Sequence, residues 1–434
     1  MKISLLEKCL SLYHYSVFRS TGIYIGSSFL NALVPFLVMP ILTRYLDPVD
    51  YGIVAMFTVL VTFVTPFTGL SIHGAVYRQY FDLEKKQMRI YITNALGIVL
   101  CSSLLVGLLF RVFSSSLESI SSIPVFWIDV VVVVSMMNFL GQICLALFQV
   151  QEKPLNYGLF QNMKTIFNIG LSLFFVLIMG FSWQGRLLGI SMSSILFGIV
   201  AIVYFWHQKW LCFSFNPTYI KNALHFGIPM IPTAIKGAIM TTIDRLFITN
   251  MVGVAFTGLY TVGYQLSIPI HLLTASFNNA YVPWLFKRLK LNDANINRKI
   301  VKYTYIYFAS IPAIALSWTL IAICLLKFFV GLSFAGARPY IIWLSLGFAF
   351  SGMHSMIVNY IYFVQKTARY GIISIISVII NICLNYLLIL KHGAVGAAQA
   401  TCITFFLTFL MTWWLSSRVY PMPWFSFWKK EASL

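Results

Sequence analysis

Charged residues are scarce in this chain, and acidic residues are the scarcest of them. Only 9% of the 434 residues are charged, with 30 Lys or Arg against 11 Asp or Glu, whereas 59% are apolar and 17% aromatic. A soluble domain carries about 25% charged residues. The composition therefore excludes an ordinary water-facing surface and indicates a surface that faces lipid.

Sequence motifs of several enzyme classes are also missing. No GxxxxGK[ST] phosphate-binding loop occurs, which argues against ATP hydrolysis by this chain. The seven cysteines show no CxxC pair or metal-ligand spacing, and we interpret them as small packing residues. No Ser/His/Asp or paired-carboxylate arrangement is visible on the short predicted outer loops, which argues against a membrane glycan polymerase or ligase. We expect no catalytic residue, no metal and no cofactor.

Apolar runs of about 20 residues recur along the whole chain, and this is the length that a helix needs to cross ~30 Å of hydrocarbon. They do not alternate in polarity as the strands of a β-barrel do. The sequence therefore predicts an all-α integral membrane protein with twelve transmembrane helices. The predicted spans are 20–42, 52–74, 91–111, 125–148, 158–180, 186–206, 224–247, 256–281, 301–327, 338–363, 370–390 and 396–417.

The positions of Lys and Arg predict the orientation, because these residues accumulate on cytoplasmic loops. They fall on alternate loops in a ratio of roughly three to one, which places both termini in the cytoplasm. In this assignment Lys164 belongs to the inner set and Arg186 to the outer set, and Lys236 alone falls inside a span. The net charge of +19 is then explained by short loops that face anionic lipid, so no nucleic acid is expected.

Two phrases occur twice, at corresponding places. "VQEKPLNYG" ends at Gly158 and "VQKTARYG" ends at Gly371, 213 residues later, while "LTRYLDPVDYGI" aligns with "ITNMVGVAFTGL" at an offset of 206. Each pair lies on equivalent loops of two six-helix halves. Six is an even number, so the halves share one orientation, as parallel repeats do in transporters. We predict lobes at 1–208 and 209–434 around a central cavity.

Three phrases in order, "LTRYLDPVDYG", "QEKPLNYG" and "IDRLFI", resemble the polysaccharide transporter family, which includes O-antigen and capsule-repeat flippases. Its superfamily also holds multidrug and lipid II exporters. The resemblance implies a carrier that moves an undecaprenyl-pyrophosphate-linked oligosaccharide across the bacterial inner membrane by alternating access, beside a polysaccharide polymerase and a chain-length regulator. A cation-coupled multidrug exporter is the alternative, but such a protein would favour acidic groups within its spans, where few occur.

A pyrophosphate-linked sugar needs cations near a cavity, and Lys236 is the first candidate because a lysine within a span is costly to bury. A structural pair with Asp244 is the alternative. Arg19 and Arg78, at the cytoplasmic ends of spans one and two, could meet the pyrophosphate on entry or simply follow the charge bias of the loops.

Several spans also carry polar residues at helical spacing. Such residues line a wet cavity or hydrogen bond between helices, and for any single residue the second role is the more common. The candidates for the cavity are Asn31, His73, Tyr260, Tyr264, His271 and His354. Asp244 and Asp129 are the candidates for ion coupling, because they are the membrane-proximal carboxylates on the expected path.

Overall fold

The computed structural model describes residues 22–23, 26–27, 30–31, 33–291 and 293–424, and these residues form helices and turns without a strand. The helices of the first half are α1 (Leu33–Tyr45), α2 (Pro48–Thr68), α3 (His73–Gln79), α4 (Lys85–Val112), α5 (Ser114–Ser121), α6 (Val125–Val150), α7 (Pro154–Leu173) and α8 (Trp183–His207). Those of the second half are α9 (Pro217–Gly227), α10 (Ile231–Met251), α11 (Val254–Leu289), α12 (Ala294–Phe329), α13 (Arg338–Phe363), α14 (Thr367–His392) and α15 (Val395–Val419).

Ten helical segments in the described part of the chain are long and apolar enough to cross a membrane. Nine of these segments contain one long helix each, namely α2, α4, α6, α7, α8, α12, α13, α14 and α15. The tenth, Pro217–Met251, contains α9 and α10. The other two predicted spans fall on the shorter apolar helix α1 and on α11, which is 36 residues long and contains Pro269 and Pro283. The prediction of an all-α integral membrane protein is confirmed.

The chain forms two compact units. The first contains the described residues up to Leu46 together with Ile53–Ile239, and the second contains Asp47–Gly52 together with the residues from Met240 onward. The contact boundary thus lies within α10, later than the division predicted at 208. One reason is that α9 packs on α4, where the Tyr91 hydroxyl donates to Asn222 Oδ1 at 3.0 Å. The division into duplicated halves stays a prediction.

The core of the first unit lies where α4, α6 and α8 meet, around the fully buried side chains of Ile92, Ile143 and Phe205. The segment that connects α8 to α9 is held along α4 by polar contacts to its backbone. Asn94 Nδ2 donates to the carbonyl of Ser214 at 2.8 Å, and Arg89 donates to that of Leu211 at 3.2 Å. These contacts explain why α9 belongs to the first unit.

In the second unit the core lies between α11, α12, α13 and α15 and is rich in aromatic rings. Small residues let these helices approach closely. An added Cβ at Gly352 of α13 would lie 2.5 Å from a side-chain carbon of Thr274 on α11, and one at Gly347 would lie 3.3 Å from the Cα of Cys402 on α15. Close helix packing through small residues is the usual basis of association inside a membrane.

Two glycines that the sequence aligns at an offset of 206 make a reciprocal contact within the second unit. An added Cβ at Gly52 would lie 2.0 Å from the carbonyl oxygen of Val254, and one at Gly258 would lie 2.0 Å from that of Pro48. Pro48 and Val254 are themselves 206 residues apart. Residue pairs that exchange equivalent contacts are expected at a two-fold axis, which is the pattern that a duplicated segment would produce.

This contact gives a test of packing. We expect Gly258→Ala to lower the thermal unfolding midpoint of the purified protein, because the new methyl group would overlap a backbone carbonyl and overpacking costs about 1–3 kcal/mol. Gly371→Ala is the matched control, since a Cβ there meets nothing within 4 Å. Equal midpoints for the two variants would contradict a tight crossing at Gly258.

Candidate functional site

The first unit contains a polar cavity of about 610 Å³. Several of its helices contribute, and amides and hydroxyls predominate among the polar groups. Its lining residues are Asn31, Pro35, Val61, Thr62, Thr65, Pro66, Ser71, His73, Asn138, Phe139, Gly141, Gln142, Leu145, Phe160, Gln161, Lys164, Thr165, Asn168, Ile169, Arg186 and Ala234. Lys164 and Arg186 supply its charge, and none of these lining residues is acidic. The cavity is therefore positively charged.

One face of α7 supplies the polar wall. Gln161, Lys164, Thr165 and Asn168 follow the i, i+3, i+4, i+7 spacing of a helical face, and all four line the cavity. The helix begins at Pro154, which suits its first turn because proline lacks the amide hydrogen that is unsatisfied there. This start places Lys164 near the middle of the helix.

Lys164 is held between α6 and α7. Its Nζ donates to Asn138 Oδ1 at 2.6 Å. An ammonium group has three donors, and a neutral amide does not cancel its charge. Neither ion pair found among the described residues involves Lys164. The lysine is therefore positioned by α6 and forms no ion pair with an acidic residue in the described part of the chain.

Arg186 reaches across from the first turn of α8 to α7. Its Nη1 donates to Asn168 Oδ1 and to Ser172 Oγ, both at 2.5 Å. The two helices approach closely because α8 has Gly189 beside Ser172, where an added Cβ would lie 2.1 Å from the serine Oγ. A larger residue at Gly189 would push Arg186 away from α7.

Asn31 lies at the opposite side of the polar wall and is linked to it. Its Nδ2 donates to Asn162 Oδ1 at 2.8 Å, and the Thr165 hydroxyl donates to its Oδ1. His73 also lines the cavity, with its ring edge-on to Phe139 at 5.5 Å between centroids. The structure thus brings together two of the predicted residues, Asn31 and His73.

The predicted cations are placed differently. Lys236 is half-buried on α10, but this helix contributes Ala234 to the lining, and two residues correspond to about 200° around a helix. Arg78 is exposed on α3 and pairs with Asp82 at 3.5 Å. Arg19 lies outside the described residues. A substrate-binding role for any of these three stays a prediction.

Two of the predicted residues of the second unit, Asp244 and Tyr260, lie together in a buried cluster. One carboxylate oxygen, Oδ2, accepts hydrogen bonds from Tyr260 at 2.5 Å and Thr401 at 2.6 Å, and Oδ1 accepts one from Asn385 Nδ2 at 2.8 Å. The neighbouring guanidinium of Arg245 lies 4.8 Å from the ring centroid of Tyr264. Asp244 is thus stabilised by three donors from α11, α14 and α15.

The remaining candidates make local contacts. His271 packs beside Phe348 at 5.3 Å between ring centroids, and His354 Nε2 lies 3.2 Å from the hydroxyl of Tyr370. Asp129 forms an exposed ion pair with Arg111 at 2.9 Å. Exposed pairs of this kind contribute about 0–1 kcal/mol, so Asp129 is poorly placed to hold an ion away from water.

Sequence reasoning assigned Lys164 and Arg186 to loops, and the structure places both within helices. The predicted spans 158–180 and 186–206 already contained both residues, and only the assignment of basic residues to sides of the membrane grouped them with loops; α7 and α8 begin at Pro154 and Trp183. Two signals in the sequence could have identified them. The face that contains Gln161 and Asn168 was visible in "QNMKTIFN", and Arg186 lies three residues after Trp183 at the start of the next apolar run.

Comparisons with other proteins agree on one family. A family model described as "Polysaccharide biosynthesis protein" matches residues 17–289. Lsg locus putative protein 1 of Haemophilus influenzae is 23% identical over 414 residues, which is 90% of this chain and 98% of that protein. The capsular polysaccharide biosynthesis protein CapF of Staphylococcus aureus is 22% identical over 419 residues, covering 91% and 98% respectively.

Solved structures share the fold. The lipid II flippase MurJ in an inward closed conformation superposes with a TM-score of 0.73 at 16% identity, covering 92% of this chain and 87% of its own. A multidrug resistance transporter of the MATE family, in an inward-facing conformation, gives a TM-score of 0.64 at 13% identity, covering 89% and 94%. These similarities establish a common membrane fold.

The positive cavity predicts that the purified protein binds small phosphate-rich anions. We expect inorganic pyrophosphate to raise the thermal unfolding midpoint, since a ligand at one hundred times its Kd stabilises by about 2.7 kcal/mol. Lys164→Gln combined with Arg186→Gln should remove most of that rise. The matched control is Arg338→Gln with Lys391→Gln, which removes the same charges from exposed sites. An unchanged rise in the cavity variant would contradict anion binding there.

Proposed function

Because the chain belongs to the polysaccharide biosynthesis protein family, we propose that it translocates undecaprenyl-pyrophosphate-linked oligosaccharide repeat units across the bacterial inner membrane. The repeat units would be those of an O-antigen or a related surface polysaccharide. The observation that supports this proposal most is the cavity of the first unit, in which Lys164 and Arg186 face a polar space without an acidic residue in its lining.

The chemistry of the cavity matches the two polar parts of such a cargo. The diphosphate is an anion that an arginine fork and a lysine ammonium recognise well, with charge-assisted hydrogen bonds about twice as strong as neutral ones. The sugar hydroxyls both donate and accept hydrogen bonds, and the side-chain amides of Asn31, Gln142 and Gln161 offer both kinds of group. The lipid tail could stay in the bilayer throughout.

The alternative is a cation-coupled multidrug exporter, because transporters of the MATE family share the fold. A cationic drug would be repelled by Lys164 and Arg186, since like charges at close range are unfavourable. The polarity of the cavity therefore favours an anionic cargo over a cationic one.

For energy coupling we propose Asp244, which is the candidate carboxylate that lies away from water. Its oxygens accept from Tyr260, Thr401 and Asn385, so binding a proton or a cation would have to displace or reorient these donors. Because the donors come from three other helices, such an event would alter the packing of α10 against them. Asp129 is a weaker candidate, because it is exposed and already paired.

Several wider features belong to the same proposal. We place the protein in the bacterial inner membrane with both termini in the cytoplasm, on the strength of its basic loops. Its partners would be the lipid-linked oligosaccharide, membrane lipids, a polysaccharide polymerase and a chain-length regulator. Lys236, Arg19 and Arg78 stay secondary candidates for contacts with the pyrophosphate.

Deleting the gene should abolish the surface polysaccharide and leave lipid-linked repeat units on the cytoplasmic side of the membrane. Complementation should then depend on charge at Lys164. We expect Lys164→Arg to restore part of the export and Lys164→Met to restore less than about a tenth, because losing one charge-assisted hydrogen bond costs about 1.5–3 kcal/mol. Export is measured as surface polysaccharide per unit of membrane-inserted protein.

The control for complementation is Lys391→Met, which changes an exposed lysine at the end of α14 and should export normally. The same assay with Lys236→Met decides the role of that residue. Normal polysaccharide with an altered drug tolerance in the deletion strain would overturn the proposal in favour of multidrug export. Full export by Lys164→Met would remove the cavity lysine from the mechanism.

A further inference from the structure

A second polar pocket, of about 500 Å³, lies in the second unit between the end of α11 and the start of α12. Both sides of the hairpin contribute residues with the same i, i+3, i+4, i+7 spacing. The lining residues are Trp284, Lys287 and Arg288 of α11, Leu291 in the turn after it, and Ile296, Lys299, Ile300 and Tyr303 of α12. We call this site the hairpin pocket. It is separate from the cavity of the first unit and from the Asp244 cluster.

Three cations converge on the hairpin pocket without a counter-charge in its lining. Lys287 and Arg288 approach from α11 and Lys299 from α12, and none of the lining residues is acidic. The nearest acidic residue in the sequence, Asp293, is not among the lining residues, and its Oδ1 accepts from the backbone amides of Asn295 and Ile296 and caps α12. Converging like charges repel one another, so a bound anion would relieve this arrangement.

Two aromatic rings, those of Trp284 and Tyr303, also line the hairpin pocket. The Arg288 guanidinium lies 4.2 Å from the ring centroid of Trp284, and the rings of Trp284 and Tyr303 are 6.3 Å apart and edge-on. The cation–π contact holds the guanidinium at the pocket, while its N–H groups can still reach a phosphate. Tyr303 is 54% exposed and Leu291 is 63% exposed, so apolar surface borders the cationic centre.

We propose that the hairpin pocket binds the phosphate of an anionic phospholipid headgroup. A site of three cations with bordering aromatic and aliphatic surface suits a phosphate that is attached to a hydrocarbon chain. The predicted topology places this hairpin at the cytoplasmic surface, where basic residues meet anionic lipid and tyrosine and tryptophan favour the interface. Free phosphate has the same anionic group, but it has no hydrocarbon chain to contact the apolar surface that borders the pocket. The inference does not depend on the cargo proposed above.

The test uses the full chain, purified in detergent and placed in phosphatidylcholine nanodiscs with increasing phosphatidylglycerol. Retained lipid is counted by native mass spectrometry. We expect the combined variant Lys287→Gln, Arg288→Gln and Lys299→Gln to weaken phosphatidylglycerol binding at least tenfold. The matched control is Lys290→Gln, Lys302→Gln and Arg369→Gln, which removes the same charges from exposed positions on the same predicted side and should change binding less than about twofold.

Two further measurements make the result decisive. The wild-type protein should bind phosphatidylglycerol at least tenfold more tightly than phosphatidylcholine, and millimolar glycerol phosphate should not displace the lipid. Equal losses in the two triple variants would show general surface charge and overturn the proposal. Displacement by glycerol phosphate would also overturn it, because the pocket would then be a site for free phosphate. Comparable unfolding midpoints of the two variants exclude misfolding as the cause.

Discussion

A charged side chain inside a membrane needs water, a partner or a ligand, because the hydrocarbon has no polar groups that could solvate the charge. The rest of this structure can be understood from that constraint. In the first unit two cations are supported by neutral amides and a hydroxyl, and Lys164 is held by Asn138 alone among the contacts found. For Lys164, a neutral amide fixes the position of the ammonium group without cancelling its charge. This is the arrangement expected where an anionic ligand completes the site.

In the second unit the buried charge is an acid, and it is satisfied by donors from the protein itself. The carboxylate of Asp244 is fully buried and is surrounded by the hydroxyls of Tyr260 and Thr401 and the amide of Asn385. Both oxygens are used, so the group is satisfied within the protein. A satisfied buried charge stabilises one arrangement of its helices, and changing its protonation or binding a cation would change the balance between arrangements. A ligand can shift a conformational equilibrium only by such a differential interaction.

The sequence predicted the membrane class and the helical spans well, because length and apolarity alone decide whether a helix can cross a bilayer. It also identified Asn31, His73, Tyr260 and Asp244 as polar groups within spans, but it did not predict that Asp244 and Tyr260 are hydrogen-bonded to each other. It counted Lys164 and Arg186 with the basic loop residues, although its predicted spans contained both, and so did not propose them for the cavity that they line. The partners Asn385 and Thr401 lie 141 and 157 residues from Asp244. No local pattern can predict contacts over such separations.

The offset of 213 residues allows the residues of α7 to be compared with those of α14. It aligns Pro154 with Thr367, the first residues of α7 and α14, and it aligns Asn168 with Asn381. Each asparagine interacts with the following helix, the first with Arg186 and the second with Thr404 at 3.4 Å.

The same offset aligns Lys164 with Ser377, which accepts a hydrogen bond from Thr408 at 2.8 Å. The aligned positions thus keep an asparagine on α7 and on α14, at Asn168 and Asn381, but differ in charge at Lys164 and Ser377. A lysine at Ser377 would meet the packed hydroxyls of α15 and lack water, whereas Lys164 faces a polar space of about 610 Å³. A charge can persist only where the helices leave room for a ligand or water, and the packing around α7 leaves such room beside Lys164.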